Sequence, residues 1–144
     1  MKSIRYQPAS KYILKEFNYD FGNVFFLDGV VVSEIAEGVT FSWEKHAKPM
    51  IEDITAYHQT DGSDLVYISH RINSYSVVPQ DWLKFYHHFY DLRAYYVVTQ
   101  KSAGMMSHII ENLFFRKKIG RFSNLSQALN AVEILGVVGD QLKS

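Results

Sequence analysis

The sequence predicts one α/β domain on a single mixed, mainly parallel sheet of about five strands with four helices, in the order ββαβαβαβα. Three observations predict it. Short apolar runs of strand length recur along the chain, at Val24–Leu27, Leu65–Ile68 and Ala94–Val98. Between them lie stretches whose apolar residues step by three and four, the period of a helix. Tyr12–Tyr19 and Val24–Leu27 are joined by turn residues, so the chain opens with an antiparallel pair before the alternation begins.

In order, residues 1–10 read as a polar N-terminal arm ended by Pro8. Tyr12–Tyr19 carries Ile13, Phe17 and Tyr19 on odd positions, a loose period of two. Asp20-Phe21-Gly22-Asn23 supplies the turn into Val24–Leu27. Asp28-Gly29 then interrupts the run before Val30-Val31-Val32, either as a second tight hairpin or as a bulge in one long strand; the bulge is the reading adopted. Trp43, Ala47, Met50, Ile51, Ile54 and Tyr57 define the first helical stripe, with Ser42 as N-cap. Pro49 inside that stretch predicts a kink or a late helix start.

Leu65–Ile68 reads as a strand covered on both faces. Trp82, Phe85, Tyr86 and Phe89 mark a second helix, Ala94–Val98 the next strand, and Met105, Met106, Ile109, Ile110 and Leu113 a third helix. A strand at Ile119–Phe122 precedes Ser123-Asn124, the cap of a final helix carrying Leu125, Ala128, Leu129, Val132 and Leu135. Residues 137–144 read as a loosely held tail, and no linker or repeat divides the 144 residues.

Composition removes several classes of function. The chain has no cysteine, which excludes disulfide scaffolds, thiolate metal sites and thiol nucleophiles. Fifteen basic residues balance fifteen acidic ones, which argues against nucleic acid as a bulk electrostatic partner. The N-terminus lacks the apolar stretch of a signal peptide, and no segment approaches the roughly 20 apolar residues that cross a bilayer. A cytoplasmic protein without a transmembrane segment is the expectation.

Motifs for chemistry are missing. A phosphate cradle needs closely spaced glycines, and neither G-x-G-x-x-G nor G-x-x-x-x-G-K occurs among the eight scattered here. The G-x-S-x-G elbow of α/β hydrolases is also absent. His108 and Glu111 stand at i and i+3 without a second matching pair, and adjacent His87-His88 diverge by about 100° on a helix. Asp61-Gly62-Ser63-Asp64 lacks the remaining oxygen ligands of a calcium loop. No enzyme activity, metal or cofactor is therefore expected.

Arg116-Lys117-Lys118 with Arg121, beside Phe114, Phe115 and Phe122, forms the one basic patch, and cations at a helix end account for it. Ten Phe, ten Tyr and two Trp give an aromatic load beyond the ordinary. Its structural role is to pack the helices on the sheet. Its functional role is to form a homodimer face or a pocket for an apolar ligand. The segment from Ser69 to Ser76 follows a central strand and gathers polar groups without packing periodicity. Arg71, Asn73, Ser74, Tyr75 and Ser76 are its candidate partner- or ligand-binding residues, although such residues also serve simply to cap loops.

The hairpin running into Val30-Val31-Val32-Ser33-Glu34-Ile35, the strand Leu92-Arg93-Ala94-Tyr95-Tyr96-Val97-Val98, and the segment Arg121-Phe122-Ser123-Asn124-Leu125-Ser126-Gln127-Ala128-Leu129 together resemble the STAS superfamily. Within it, the likeness is to the small stand-alone SpoIIAA-like (STAS/SEC14-like) proteins. The resemblance implies a non-catalytic regulatory module that binds a protein partner. Its SEC14 side implies a small apolar or lipid-like ligand instead. The superfamily's phosphoswitch uses a serine in an Asp-Ser-Ser-Gly-like turn. Asn73-Ser74-Tyr75-Ser76 stands in that region here, so Ser74 and Ser76 are the phosphosite candidates and the switch itself is not carried over.

Overall fold

The computed structural model describes residues 1–59, 61–81, 84, 92–100 and 119–133. Among the described residues eight strands are formed: β1 (Lys15–Tyr19), β2 (Gly22–Leu27), β3 (Val30–Ile35), β4 (Thr40–Phe41), β5 (Val66–His70), β6 (Ser76–Val77), β7 (Ala94–Val98) and β8 (Ile119–Phe122). Six of them make one sheet in the order β1-β2-β3-β5-β7-β8. β1, β2 and β3 are antiparallel neighbours, whereas β3, β5, β7 and β8 run parallel. β4 and β6 pair as a separate two-stranded parallel ribbon that the sequence did not announce.

The pleat sorts the apolar residues onto two faces. Phe25, Leu27, Val30, Val32, Val66, Ile68, Ala94, Tyr96 and Val98 pack together on one. On the other, Val24, Phe26, Val31 and Ile35 pack with Phe21, Phe41, Ala47, Met50 and Ile54. Burial on both faces explains why β3, β5 and β7 read as near-continuous apolar runs instead of alternating ones.

The first face is covered by helix α2, residues 125–133, through Leu125, Ala128, Leu129 and Val132. Its cap is Asn124, whose Oδ1 accepts from the Gln127 amide at 2.9 Å. The second face is covered by α1 (Lys48–His58). Ser42 caps a wide turn over Trp43–Ala47, its Oγ accepting from the Lys45 amide at 3.3 Å, and the α-helix starts late with Pro49 in its first turn. His46 folds back to accept from the Ser42 amide at 2.8 Å and stacks on Phe41. Burial, opposed by Asp20, holds its imidazole below the ordinary range and so favours this acceptor role.

Two expectations change. Asp28-Gly29 is a tight hairpin and not a bulge: Leu27 pairs with Val30, and Gly29 supplies the positive φ of +71° that the turn requires. The long strand therefore divides in two, and the main sheet has six strands instead of about five. Two α-helices occur among the described residues where four were expected; those anticipated around Trp82–Phe89 and Met105–Leu113 lie outside the described residues, as does the 137–144 tail. The N-terminal arm is ordered. It forms two 3-10 turns, Ile4–Tyr6 and Pro8–Tyr12, and Ile4 is fully buried in the first face.

A buried carboxylate fastens the arm. Glu34 Oε2 accepts from the Ile4 amide at 2.8 Å and from His70 Nδ1 at 2.9 Å, while Oε1 accepts from Ser3 Oγ at 2.6 Å. His70 Nδ1 thus donates to the Glu34 carboxylate, and its Nε2 is buried without a hydrogen-bond partner. Burial alone would raise the Glu34 carboxyl, but these hydrogen bonds together hold it below its usual value.

Two outcomes follow from this packing. A Cβ on Gly22 would lie 2.6 Å from the Glu34 carbonyl oxygen and 2.8 Å from Ile35 Cα, so Gly22→Ala should cost about 2–4 kcal/mol in denaturant unfolding. A carboxyl whose folded pKa is depressed stabilises above its unfolded pKa, and that contribution is lost as pH falls through the folded value. Glu34→Gln should therefore lower stability at neutral pH by about 2–4 kcal/mol. It should also flatten the acid limb that the wild type shows below about pH 4.5.

Candidate functional site

Ala47, Met50, Ile51, Ile54 and Thr55 step by three and four around the end of the Ser42-capped turn and α1, so they share one stripe. Opposite them Leu65, Tyr67, Ser69 and Arg71 step by two through β5 and share one side of the strand. Val31 and Tyr95 flank Tyr67 in the parallel register of β3, β5 and β7. The stripe and the strand do not close on each other. A cavity of about 70 Å³ remains between them, finished by Phe41, Tyr75 and Val77 at one end and by Gly62, Asp61 and Leu92 at the other. That is room for several waters or a small organic group.

The two ends differ in chemistry. Met50, Ile51, Ile54, Leu65 and Leu92 make an apolar body. Beyond the C-terminal end of β5, hydroxyls and a guanidinium converge. Tyr75 Oη lies 3.1 Å from Ser69 Oγ, and the Arg71 guanidinium carbon stands 4.4 Å from the centre of the Tyr75 ring. Tyr67 and Tyr95 stack in parallel with centroids 5.4 Å apart. Burial pushes the Tyr95 phenol up to about 12, with Tyr75 adding to the effect and Arg71 and Ser69 opposing it. Burial likewise raises Tyr67 well above the ordinary value. These phenols are neutral hydrogen-bonding groups at physiological pH, not phenolate bases or nucleophiles.

Of the five residues singled out in the sequence, the structure brings Arg71 and Tyr75 into the cavity. The other three hold loops together. Asn73 Nδ2 donates to the Ile35 carbonyl at 3.0 Å. The Ser74 amide donates to Glu37 Oε2 at 2.7 Å, and its carbonyl accepts from the Gly38 amide at 2.8 Å. Ser76 opens β6, its amide donating to the Val39 carbonyl at 3.0 Å. Ser74 and Ser76, the phosphosite candidates, are exposed. The basic cluster 116–118, His87-His88, His108, Glu111 and the aromatic stripe of 82–90 lie outside the described residues.

Open α/β sheets place ligands where strand order reverses, but this sheet runs β1 to β8 without reversal. The space lies instead under α1, along β5. Its walls were legible as two patterns read separately, the stripe of α1 and the apolar run of β5, but not as one enclosure. Asp61 at the far end accepts from the Ser63 amide at 2.9 Å and from Ser63 Oγ at 2.6 Å. Among the described residues no group of three His, Asp or Glu side chains could hold a metal ion, and no helix is long and apolar enough to cross a membrane.

Comparison of the chain with protein-family models, with curated proteins and with solved structures finds no match in any of the three.

A tyrosine whose folded pKa is raised stabilises fully below its unfolded pKa and loses that contribution as pH rises through the folded value. Stability should therefore fall between pH 10 and about 12. Tyr95→Phe should reduce that alkaline slope and remove one late-titrating phenol from the tyrosinate absorbance curve.

Proposed function

We propose that this chain is a non-catalytic binding protein for a small apolar, lipid-like molecule, held in the cavity between α1 and β5. The observation that supports it most directly is the shape of that space: an apolar body under the helix, ending in a compact polar cluster of Ser69, Arg71 and Tyr75. Concave sites of this composition fix orientation through a few polar groups and gain affinity from the apolar remainder. The neutral phenols favour holding over bond making.

The resemblance to SpoIIAA-like STAS proteins supports a module that acts by binding, and its SEC14 side favours an apolar ligand. A regulatory role with a protein partner is compatible with this. Arg71 and Tyr75 line the cavity at the end of β5, so a ligand there would alter the surface a partner meets. A homodimer and a cytoplasmic setting belong to the same reading.

Native mass spectrometry tests it. Purified wild-type protein should carry a small molecule through gentle ionisation, whereas Ile51→Trp, which fills the cavity, should fly empty while melting near the wild-type temperature. An empty wild-type protein that also fails to take up an environment-sensitive apolar dye would overturn the proposal.

A further inference from the structure

The charged groups of the cavity already have partners within the chain. Among the described residues only two formally charged side chains line it, Arg71 and Asp61. The Arg71 guanidinium hydrogen-bonds the Tyr95 phenol and lies over the Tyr75 ring, 4.4 Å from its centre. At the other end of β5, the Asp61 carboxylate accepts two hydrogen bonds from Ser63. On the helix side Thr55 Oγ1 donates back to the Ile51 carbonyl at 2.8 Å. The polar groups that remain to meet a ligand are neutral hydroxyls. Ser69 Oγ and Tyr75 Oη lie 3.1 Å apart, and either can be the donor. A hydroxyl has one proton and two lone pairs, so this one contact leaves Tyr75 Oη able to take a further partner as donor or as acceptor.

Resting on the proposed function, we infer that the ligand is uncharged: a short hydrocarbon bearing one neutral oxygen, an alcohol or a ketone. Its oxygen meets the Ser69–Tyr75 hydroxyl pair, and its body lies along Met50, Ile54 and Leu65. A carboxylate or phosphate head would have to draw Arg71 from the phenol and ring it already holds, or lie against apolar walls without a cation of its own. An alkylammonium would meet the guanidinium with like charge, and the one carboxylate of the lining is engaged by Ser63. Either ion loses its water without an equivalent return. A neutral oxygen loses far less on leaving water, and the hydrogen bond that the hydroxyl pair supplies is enough to replace it.

Titrations of the full chain with butan-1-ol, butan-2-one, butanoate and butylamine at neutral pH, followed by backbone amide chemical shifts, test the inference. These probes suit a cavity of about 70 Å³. Butan-1-ol and butan-2-one should shift the amides of α1 and β5, and each should bind roughly tenfold or more tightly than butanoate or butylamine. Tyr75→Phe keeps the ring under the guanidinium and removes the hydroxyl, so it should weaken both neutral probes by about fivefold, the loss of one neutral hydrogen bond. Ser69→Ala should weaken them to a similar degree, and an unchanged amide spectrum away from the cavity certifies that each variant is folded.

Butanoate or butylamine binding as tightly as butan-1-ol would overturn the inference of an uncharged ligand while leaving the apolar-ligand reading standing. So would neutral probes whose affinity is the same in the wild type, Tyr75→Phe and Ser69→Ala. Failure of all four probes to bind would overturn the inference together with the reading on which it rests.

Discussion

The register of β3, β5 and β7 is the constraint on which everything else depends. Val32 pairs with Ile68, and Ile68 with Tyr96; Val31 pairs with Tyr67, and Tyr67 with Tyr95. Because side chains alternate, this alignment sends Glu34 and His70 to one face and Ser69, Tyr67 and Tyr95 to the other. A slip of one residue in β5 would bring His70 under α1 and leave Glu34 buried without its imidazole partner. The apolar majority on both faces makes such a slip costly, so each polar group is held where its partners wait.

The two faces use buried polarity differently. On the first, Glu34 is satisfied by Ser3, Ile4 and His70, and its purpose is structural: a segment poor in periodicity becomes part of the core. Satisfaction of that kind leaves little for a ligand. On the second face the polar groups border open space, and Arg71, Ser69 and Tyr75 converge on it from one end of β5. A polar group beside a cavity can exchange partners at small cost, whereas one sealed in a core cannot.

Much of the architecture was readable from local pattern. The opening strand pair, the period change at Ser42, the late start of α1 at Pro49, the apolar runs of β5 and β7 and the Asn124 cap all rest on neighbours within a turn or two. Asp28-Gly29 was misread because a bulge and a two-residue hairpin share the same residues; what separates them is whether Leu27 meets Val30, a pairing fixed by the sheet. The arm's place in the core was not legible for a similar reason. Its anchor, Glu34, stands some thirty residues away and looks from the sequence like an ordinary strand charge.

The sequence by itself determined the period of each segment, the residues that terminate it, and which side chains share a stripe, because these follow from backbone geometry over a few residues. It also set Arg71 and Tyr75 four positions apart just after a buried strand, close enough for cation and ring to meet. Only the tertiary structure decided that α1 stands off β5 far enough to leave a cavity, that Asn73, Ser74 and Ser76 fasten loops, and that the arm joins the core. Those outcomes depend on volumes summed over facing elements and on donors and acceptors distant in the chain, and such quantities exist only once the elements have been brought together.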